Sequence, residues 1–325
     1  MMEKENKMGE WKECKLGDFA DVQNGYAFKL DDLNEIFLFY FLNQNNITYE
    51  LALNVGRSVN QANISPGLIK SLNLLLPPLP EQKAIAGVLS SLDDKIDLLH
   101  RQNKTFEAMA EALFRQWFVE GADEGWEEIK LSDICSVITK GTTPTTLGHQ
   151  FTEAGINFIK AESITDEGGF LWDKFAKISD ETHNFLKRSI LEPNDVLCSI
   201  AGTIGRIAIV DESILPANTN QAVAILRIGN NNFFGEFIYL FLKSKLFQEE
   251  MDGKIVHAVQ PNLSLGEIGN STISVPNYET LQTFKQIIVP IFAKKKSNQV
   301  QIRTFEKLRD TLLPKLMSGE VRVVV

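Results

Sequence analysis

The sequence predicts an α+β fold, in which a mixed, mainly antiparallel-sheet domain is combined with two long helices forming an antiparallel coiled coil. Three observations predict it. One part of the chain repeats another in four blocks taken in the same order. Short β-type runs separated by Gly- and Asn-rich turns fill the second copy of that repeat. A long stretch with apolar residues at helical spacing closes each copy.

The repeat sets the organisation. Trp11, Lys15, Leu16, Asp18 and Val22 match Trp126, Lys130, Leu131, Asp133 and Val137 at an offset of 115. Phe37–Leu42 then matches Phe237–Leu242 at an offset of 200. Asn63–Ser65 matches Asn262–Ser264, Pro77 matches Pro276, and Thr105–Glu107 matches Thr304–Glu306, all at 199. The jump in offset means that about 85 residues of copy two have no counterpart in copy one. The expected break lies near Lys29–Leu30, and the unmatched stretch runs from Pro144 to Gly229. On this reading Gly25, Tyr26 and Phe28 keep the start of the shortened region, and Leu33–Pro77 keep its end.

Four segments follow: a truncated first domain over 1–79, a long helix over 80–120, a complete second domain over 121–277, and a second long helix with a tail over 278–325. In the second domain Ile156–Ile159, Asp195–Ile200, Arg206–Val210 and Ala222–Leu226 read as strands. Phe233–Met251 reads as a helix, with Phe237, Leu240, Phe241 and Phe247 on one stripe. Trp11 and Trp126 open their copies and are expected to anchor the first strand. The first long helix begins after the prolines of Pro77–Pro80, where Glu81 suits the first turn. Its apolar positions include Ile85, Leu89, Leu92, Ile96, Leu99, Phe106 and Leu113, spaced as in a coiled-coil seam. Roughly forty residues at about 1.5 Å each give a helix on the order of 60 Å long. The second runs from about Tyr278 to Met317, and Pro290 is expected to kink it or shift its start. Two such stripes in one chain can bury each other, which would put a globular part at each end of a rod.

Composition narrows the function. With 44% hydrophobic and 23% charged residues in 325, the chain has the make-up of a soluble protein of two or three domains. No apolar run approaches the roughly 20 residues of a membrane span, and MMEKENKMGEW is followed by no apolar stretch of a secretory signal. Three separated cysteines point to a reduced, cytoplasmic setting, and four scattered histidines offer no metal-ligand spacing. The net charge of −9 argues against gripping nucleic acid by bulk electrostatics. It is uneven: residues 126–278 hold 12 Lys+Arg against 19 Asp+Glu, whereas 279–325 hold 9 against 4. Lys294–Lys296, Arg303, Lys307 and Arg309 make the second helix basic, as a phosphate-facing strip or as a solvated face.

The run Leu76–Asp97 resembles the helical region of type I restriction–modification specificity subunits. Trp126–Asp133 with Lys140-Gly-Thr-Thr-Pro144 resembles the opening of their target recognition domain, and Ala201–Arg206 and Asn220–Val223 resemble two further marks of it. The likeness spans nearly the whole chain. It implies that each target recognition domain reads one half of a split sequence in double-stranded DNA, with the helices as ruler between the halves. It also implies two docked adenine-methylating subunits that use S-adenosylmethionine, and a DNA-translocating nuclease subunit recruited through the complex. The specificity subunit itself would do no chemistry and hold no cofactor. The residues agree: there is no Asn-Pro-Pro-aromatic tetrapeptide, no GxGxxG, and Gly202–Gly205 lacks the spacing of a phosphate loop. Self-association of two chains, restoring two reading heads, is a further expected partner relation. A scaffold or decoy that binds methyltransferase subunits without productive DNA specificity is the alternative.

DNA contact is expected from polar and basic loop residues, each good contact being worth about 1–3 kcal/mol of base discrimination. The candidates are Lys140, Thr142 and Thr143 after the first strand; Lys160 and Ser163; the basic pair Lys187 and Arg188; Arg206; Asn220 and Gln221; and His257, Gln260 and Asn262. Asn220 and Gln221 could bind adenine or fix a turn, and Gly202 and Gly205 could serve a tight turn or a contact.

Overall fold

The computed structural model describes residues 11–23, 26–29, 32–54, 56–58, 61–230, 232–255 and 262–324. Copy one runs through β1 (Lys12–Lys15), β2 (Ala20–Gln23), β3 (Tyr26–Lys29), α1 (Glu35–Leu42), α2 (Asn45–Leu53), β4 (Gly56–Ser58), β5 (Gln61–Asn63), α3 (Pro66–Lys70) and β6 (Asn73–Leu76) into the long helix α4 (Leu79–Arg115). Local chemistry sets the ends of its helices. The Asn34 side chain accepts from the Phe37 N–H at 2.9 Å and starts α1, and Ser65 does the same for α3. Pro80 lies inside the first turn of α4 rather than ahead of it, where no intrahelical donor is needed.

Copy two repeats this order with a large addition. It runs through β7 (Glu127–Lys130), α5 (Leu131–Ile134), β8 (Cys135–Lys140), β9 (Ile156–Ile159), β10 (Ala176–Ile178), α6 (Asp180–Phe185), β11 (Val196–Ser199), β12 (Ile207–Ile209), β13 (Ala217–Thr219) and β14 (Val223–Ile228). Then come α7 (Gly235–Lys243), α8 (Lys245–Ile255), α9 (Leu265–Asn270), β15 (Thr272–Val275) and α10 (Tyr278–Met317). β1 pairs with β6 from Lys12↔Leu76, and β7 with β15 from Glu127↔Val275, so the same ribbon opens and closes both copies. Ser264 and Glu267 form a reciprocal capping box on α9, with bonds of 3.1 and 3.0 Å.

The chain divides into two compact units, Met1–Gln102 with Ser297–Val325, and Asn103–Lys296. In the first, Leu16, Phe37, Phe41 and Leu74 pack with Ile85 and Leu89 of α4 and Leu316 of α10. Further along, Ile96 and Leu99 meet Ile302 and Phe305. Arg309 binds Asp93 at 2.8 Å, and Tyr40 donates to the same carboxylate at 2.5 Å. In the second unit Phe114 of α4 and Phe118, in the helical turn Gln116–Glu120 that follows it, pack with Phe284 and Ile288 of α10 and with Phe237, the Phe118 and Phe284 rings meeting edge-on at 4.6 Å. Within each unit the two helices therefore run antiparallel, as the apolar spacing predicts. Burying each such Leu or Phe contributes about 1.5–3 kcal/mol.

Besides the β7–β15 ribbon, the described residues of the second unit form two larger sheets. One is four-stranded and antiparallel in the order β12-β11-β14-β8, and the other is three-stranded, β10-β9-β13, with β9 and β13 parallel. β11 is buried at all four positions, because one face meets the aromatic core and the other a second core containing Leu197, Ile214 and Ile225. This is why these strands read as continuous apolar runs.

Three expectations are corrected. Phe233–Met251 is not one helix: the backbone of Ser244 is extended, and its hydroxyl accepts from the Phe247 N–H at 3.3 Å, ending α7 and starting α8. Pro290 does not shift the start of α10, which opens at Tyr278 and continues through it; Pro290 and Gln286 are both exposed, so the proline sits on the outer face of the helix. The break in the repeat is not near Lys29. Ala20 pairs with Lys29 in copy one as Cys135 pairs with Ile228 in copy two. Tyr26 and Phe28 therefore correspond to the last strand of the sheet, β14, and the break lies between Gln23 and Tyr26.

Candidate functional site

The strand registers gather the candidate loops onto one edge of the second unit. Ala224 lies opposite Lys140, so β8 ends where β14 begins. Ser199 lies opposite Val223, which brings the end of β11 and the following Ala201–Arg206 turn to that edge. Thr219 lies beside Ile159 in the parallel pair, so Asn220 and Lys160 leave their strands together. Asn262 bridges to Ala201, and the Leu263 N–H donates to the Ile200 carbonyl at 2.9 Å. Loops from five places in the chain thus meet at one edge.

Side chains tie the loops to one another. The Thr142 N–H donates to the Thr219 carbonyl at 3.2 Å, and its hydroxyl accepts from Arg188 at 2.9 Å. The Thr143 hydroxyl donates to the side-chain amide oxygen of Gln221. Arg188 and Gln221 are exposed, and Lys187 is exposed on the same short turn as Arg188. Lys140 is half-buried at the end of its strand. Lys160, also half-buried, stands 5.1 Å over the Phe151 ring and 3.8 Å from Glu162.

Three candidates have structural work within the edge. Ser163 is fully buried and donates to the Lys174 carbonyl at 3.2 Å, so it has no surface to offer a base; the short turn after Lys160 tucks it inward. The Asn220 side chain accepts from the Ala222 N–H at 3.2 Å, which is the turn-fixing alternative. Gly202 and Gly205 have φ of +74° and +87°, which only glycine adopts without strain, so they shape the turn. Arg206 donates from Nε to Asp166 at 2.7 Å, from Nη2 to the same carboxylate at 3.4 Å, and from Nη1 to the Ile164 carbonyl at 2.9 Å. His257 and Gln260 lie outside the described residues.

The sequence reading missed Asp166 as the partner of Arg206. It also missed the fully buried Asp195 carboxylate, which takes the Arg227 guanidinium at two 2.8 Å bonds. An arginine inside the apolar run Val223–Ile228 was the one available signal, since a buried charge needs a partner. Hydrogen bonding to Asp195 raises the Arg227 pKa further and keeps it charged. Burial pushes the Cys135 and Cys198 thiols up to about 12, so neither is a thiolate nucleophile at neutral pH. Among the described residues no cluster of three His, Cys, Asp or Glu could hold a metal, and no helix is long and apolar enough to cross a membrane.

Comparison with known proteins agrees with this architecture. A family model described as the type I restriction modification DNA specificity domain matches residues 28–108 and 123–308. The MjaIX specificity subunit of Methanocaldococcus jannaschii is 27% identical over 310 residues, covering 87% of this chain and 68% of its own. The HindI specificity subunit of Haemophilus influenzae is 24% identical over 362 residues, covering 88% and 77%. The crystal structure of the type I restriction-modification S subunit from M. genitalium shares the fold, with a TM-score of 0.59 at 16% identity over 97% of this chain and 98% of that one. With both copies of its repeat inside the family model, this chain belongs to the type I restriction modification DNA specificity domain family.

Proposed function

We propose that this chain is a non-catalytic DNA-recognition subunit, and that residues 126–278 read one half of a split target through the edge described above. The observation that carries this reading is the convergence of loops 140–143, 160–166, 201–206 and 220–222 with Asn262 on one edge. Exposed Lys187, Arg188 and Gln221 there offer the donors and acceptors that base edges and phosphates require. Copy one keeps the ribbon and helices but lacks the whole block that builds such an edge. Residues 1–79 are on this reading a truncated recognition domain, 80–120 and 278–325 carry the two spacer helices, and 121–277 is the working head. The helices act as ruler and as docking surface for two adenine methyltransferase subunits, which bring S-adenosylmethionine, and a nuclease subunit joins through the complex.

Mapping methylated adenines in DNA from cells that hold this chain and its methyltransferase partner tests the reading. A single half-site motif, or a symmetric one if two chains assemble, supports it. Two different half-sites read by a single copy overturn it. The excess of acidic over basic residues in 126–278 favours the scaffold reading, for which methyltransferase capture without any methylated motif is the expected result.

A further inference from the structure

A buried charged cluster in the second unit joins the two long helices to the 165–169 turn. Glu107 of α4 and Lys295 of α10 are 7% and 5% exposed and form an ion pair. The Tyr239 hydroxyl donates to Glu107 at 2.5 Å, and Lys243 lies 3.7 Å from it. Buried ion pairs are often replaceable by apolar residues without loss of stability, so stability alone does not explain this one.

The two ammonium groups have a second set of acceptors. Lys295 donates to the Glu167 carbonyl and Lys243 to the Asp166 carbonyl, both at 2.7 Å. These carbonyls belong to one tight turn, closed by the Thr165 N–H on the Gly169 carbonyl at 3.0 Å and the Gly168 N–H on the Thr165 carbonyl at 3.1 Å. Gly168 has φ +72°, and a Cβ there would lie 2.1 Å from the Tyr239 hydroxyl, so the turn sits directly on the cluster. The side chain of Asp166 clamps Arg206 through two nitrogens. With the bond to Ile164, three of the five guanidinium donors are held, and two are left for a ligand.

We propose that Lys243 and Lys295, with Glu107 as their shared counter-ion, are positioning residues that fix the Thr165–Gly169 turn and so aim Arg206 at one or two base pairs of the target. The proposal rests on the reading of the edge as the DNA-contacting surface. It makes base preference at those positions depend on residues of the helix pair that touch no DNA.

The test is selection of bound duplexes from a randomised pool by the full-length chain in its methyltransferase complex, scored position by position. Arg206→Lys is expected to lower discrimination at one or two neighbouring positions by about tenfold, since lysine loses the planar fork. Asp166→Ala and Lys243→Met are expected to lower it at the same positions by about threefold, and to add nothing in the Arg206→Lys background. Lys295→Met strands Glu107 without its main counter-ion and is the variant at risk of unfolding. The Asp166 side chain is 76% exposed, so Asp166→Ala carries the test with an unchanged melting temperature. If Arg206→Lys alters the profile while Asp166→Ala and Lys243→Met leave it intact, the positioning role is overturned and the reading of the edge stands. If Arg206→Lys and Arg188→Ala both leave the profile unchanged, the reading of the edge itself fails, and the positioning role with it.

Discussion

In the first unit the strand after the opening ribbon, Ala20–Gln23, pairs with Tyr26–Lys29, from which only two residues separate it in the chain. In the second unit the same two strands are still neighbours, but the whole stretch between Lys140 and Val223 lies between them in the chain. The difference reaches the packing. Phe39 is 56% exposed, whereas its counterpart Tyr239 is 1% exposed, under the turn that holds Asp166. Ile64 and Leu263 differ in the same way, at 44% and 1%. Each unit nevertheless keeps an acid and a base across its helix pair, with a tyrosine from a neighbouring helix donating to the acid: Asp93, Arg309 and Tyr40 of α1 in one, Glu107, Lys295 and Tyr239 of α7 in the other. The comparison separates what builds the helix pair, which both units retain, from what builds an edge, which one has.

The largest expected effect is on stability. Phe284→Ala removes the ring around which Phe114, Trp117, Phe118 and Phe237 pack, at a cost of about 3–5 kcal/mol by denaturant titration. Hydrogen exchange should rise within 103–296; a uniform rise through both units would remove the distinction between them. Next, Arg188→Ala should weaken binding to the selected duplex by about 1–3 kcal/mol while leaving the melting temperature in place. An unchanged affinity would break the assignment of the edge. Tyr239→Phe should cost about 1–3 kcal/mol because it leaves a buried carboxylate with one donor fewer, whereas Phe39→Ser at the matching position should stay within about 0.5 kcal/mol. Equal losses would mean that Phe39 is covered in solution.

The smallest effect is one of pH in the first unit. Burial alone would raise the Glu81 carboxyl, but Arg322, at 2.5 and 2.7 Å, and the Trp11 N–H, at 3.0 Å, outweigh it and hold the pKa below the usual carboxylate range. A folded pKa below the unfolded value, about 4.3, means stability that is present above pH 4.3 and lost as pH falls through the folded pKa. Wild type should therefore melt higher than Glu81→Gln at neutral pH, and the gap should close as pH falls through the lowered Glu81 pKa. A gap that persists into acid would show that Glu81 acts through packing.

The architecture was legible because its signals are local or periodic. Trp126–Asp133 matches Trp11–Asp18 at five of eight positions, and the spacing of Ile85, Leu89, Ile96 and Leu99 needs only a helix to become a stripe. Strands β9, β11, β12 and β14 read correctly because apolar residues run through them, with β11 buried at every position and the others in part. The rest depends on contacts between distant residues. Arg206 and Asp166 are forty apart, and nothing in either neighbourhood marks the pair. Ser163 looked like a loop residue because a three-residue turn that folds inward has the composition of one that faces water. Ser244 was hidden because the apolar pattern continues on both sides of it. The break was misplaced because Tyr26–Lys29 has no side-chain pattern that tells one β-strand from another; only the register of Ala20 with Lys29 does.

That register has a consequence for how such chains change. Cys135 and Ile228, at the far ends of β8 and β14, keep the same partnership that Ala20 and Lys29 keep in the shorter copy. The offset between copies is 115 at the first of these strands and 199 at the second, so 84 residues can leave between two strands that stay hydrogen-bonded neighbours. The cut ends lie side by side, and a short hairpin heals them without opening the ladder beneath. The junction is a natural splice point: a different recognition block grafted there, in either copy, would inherit a finished seam and an undisturbed frame.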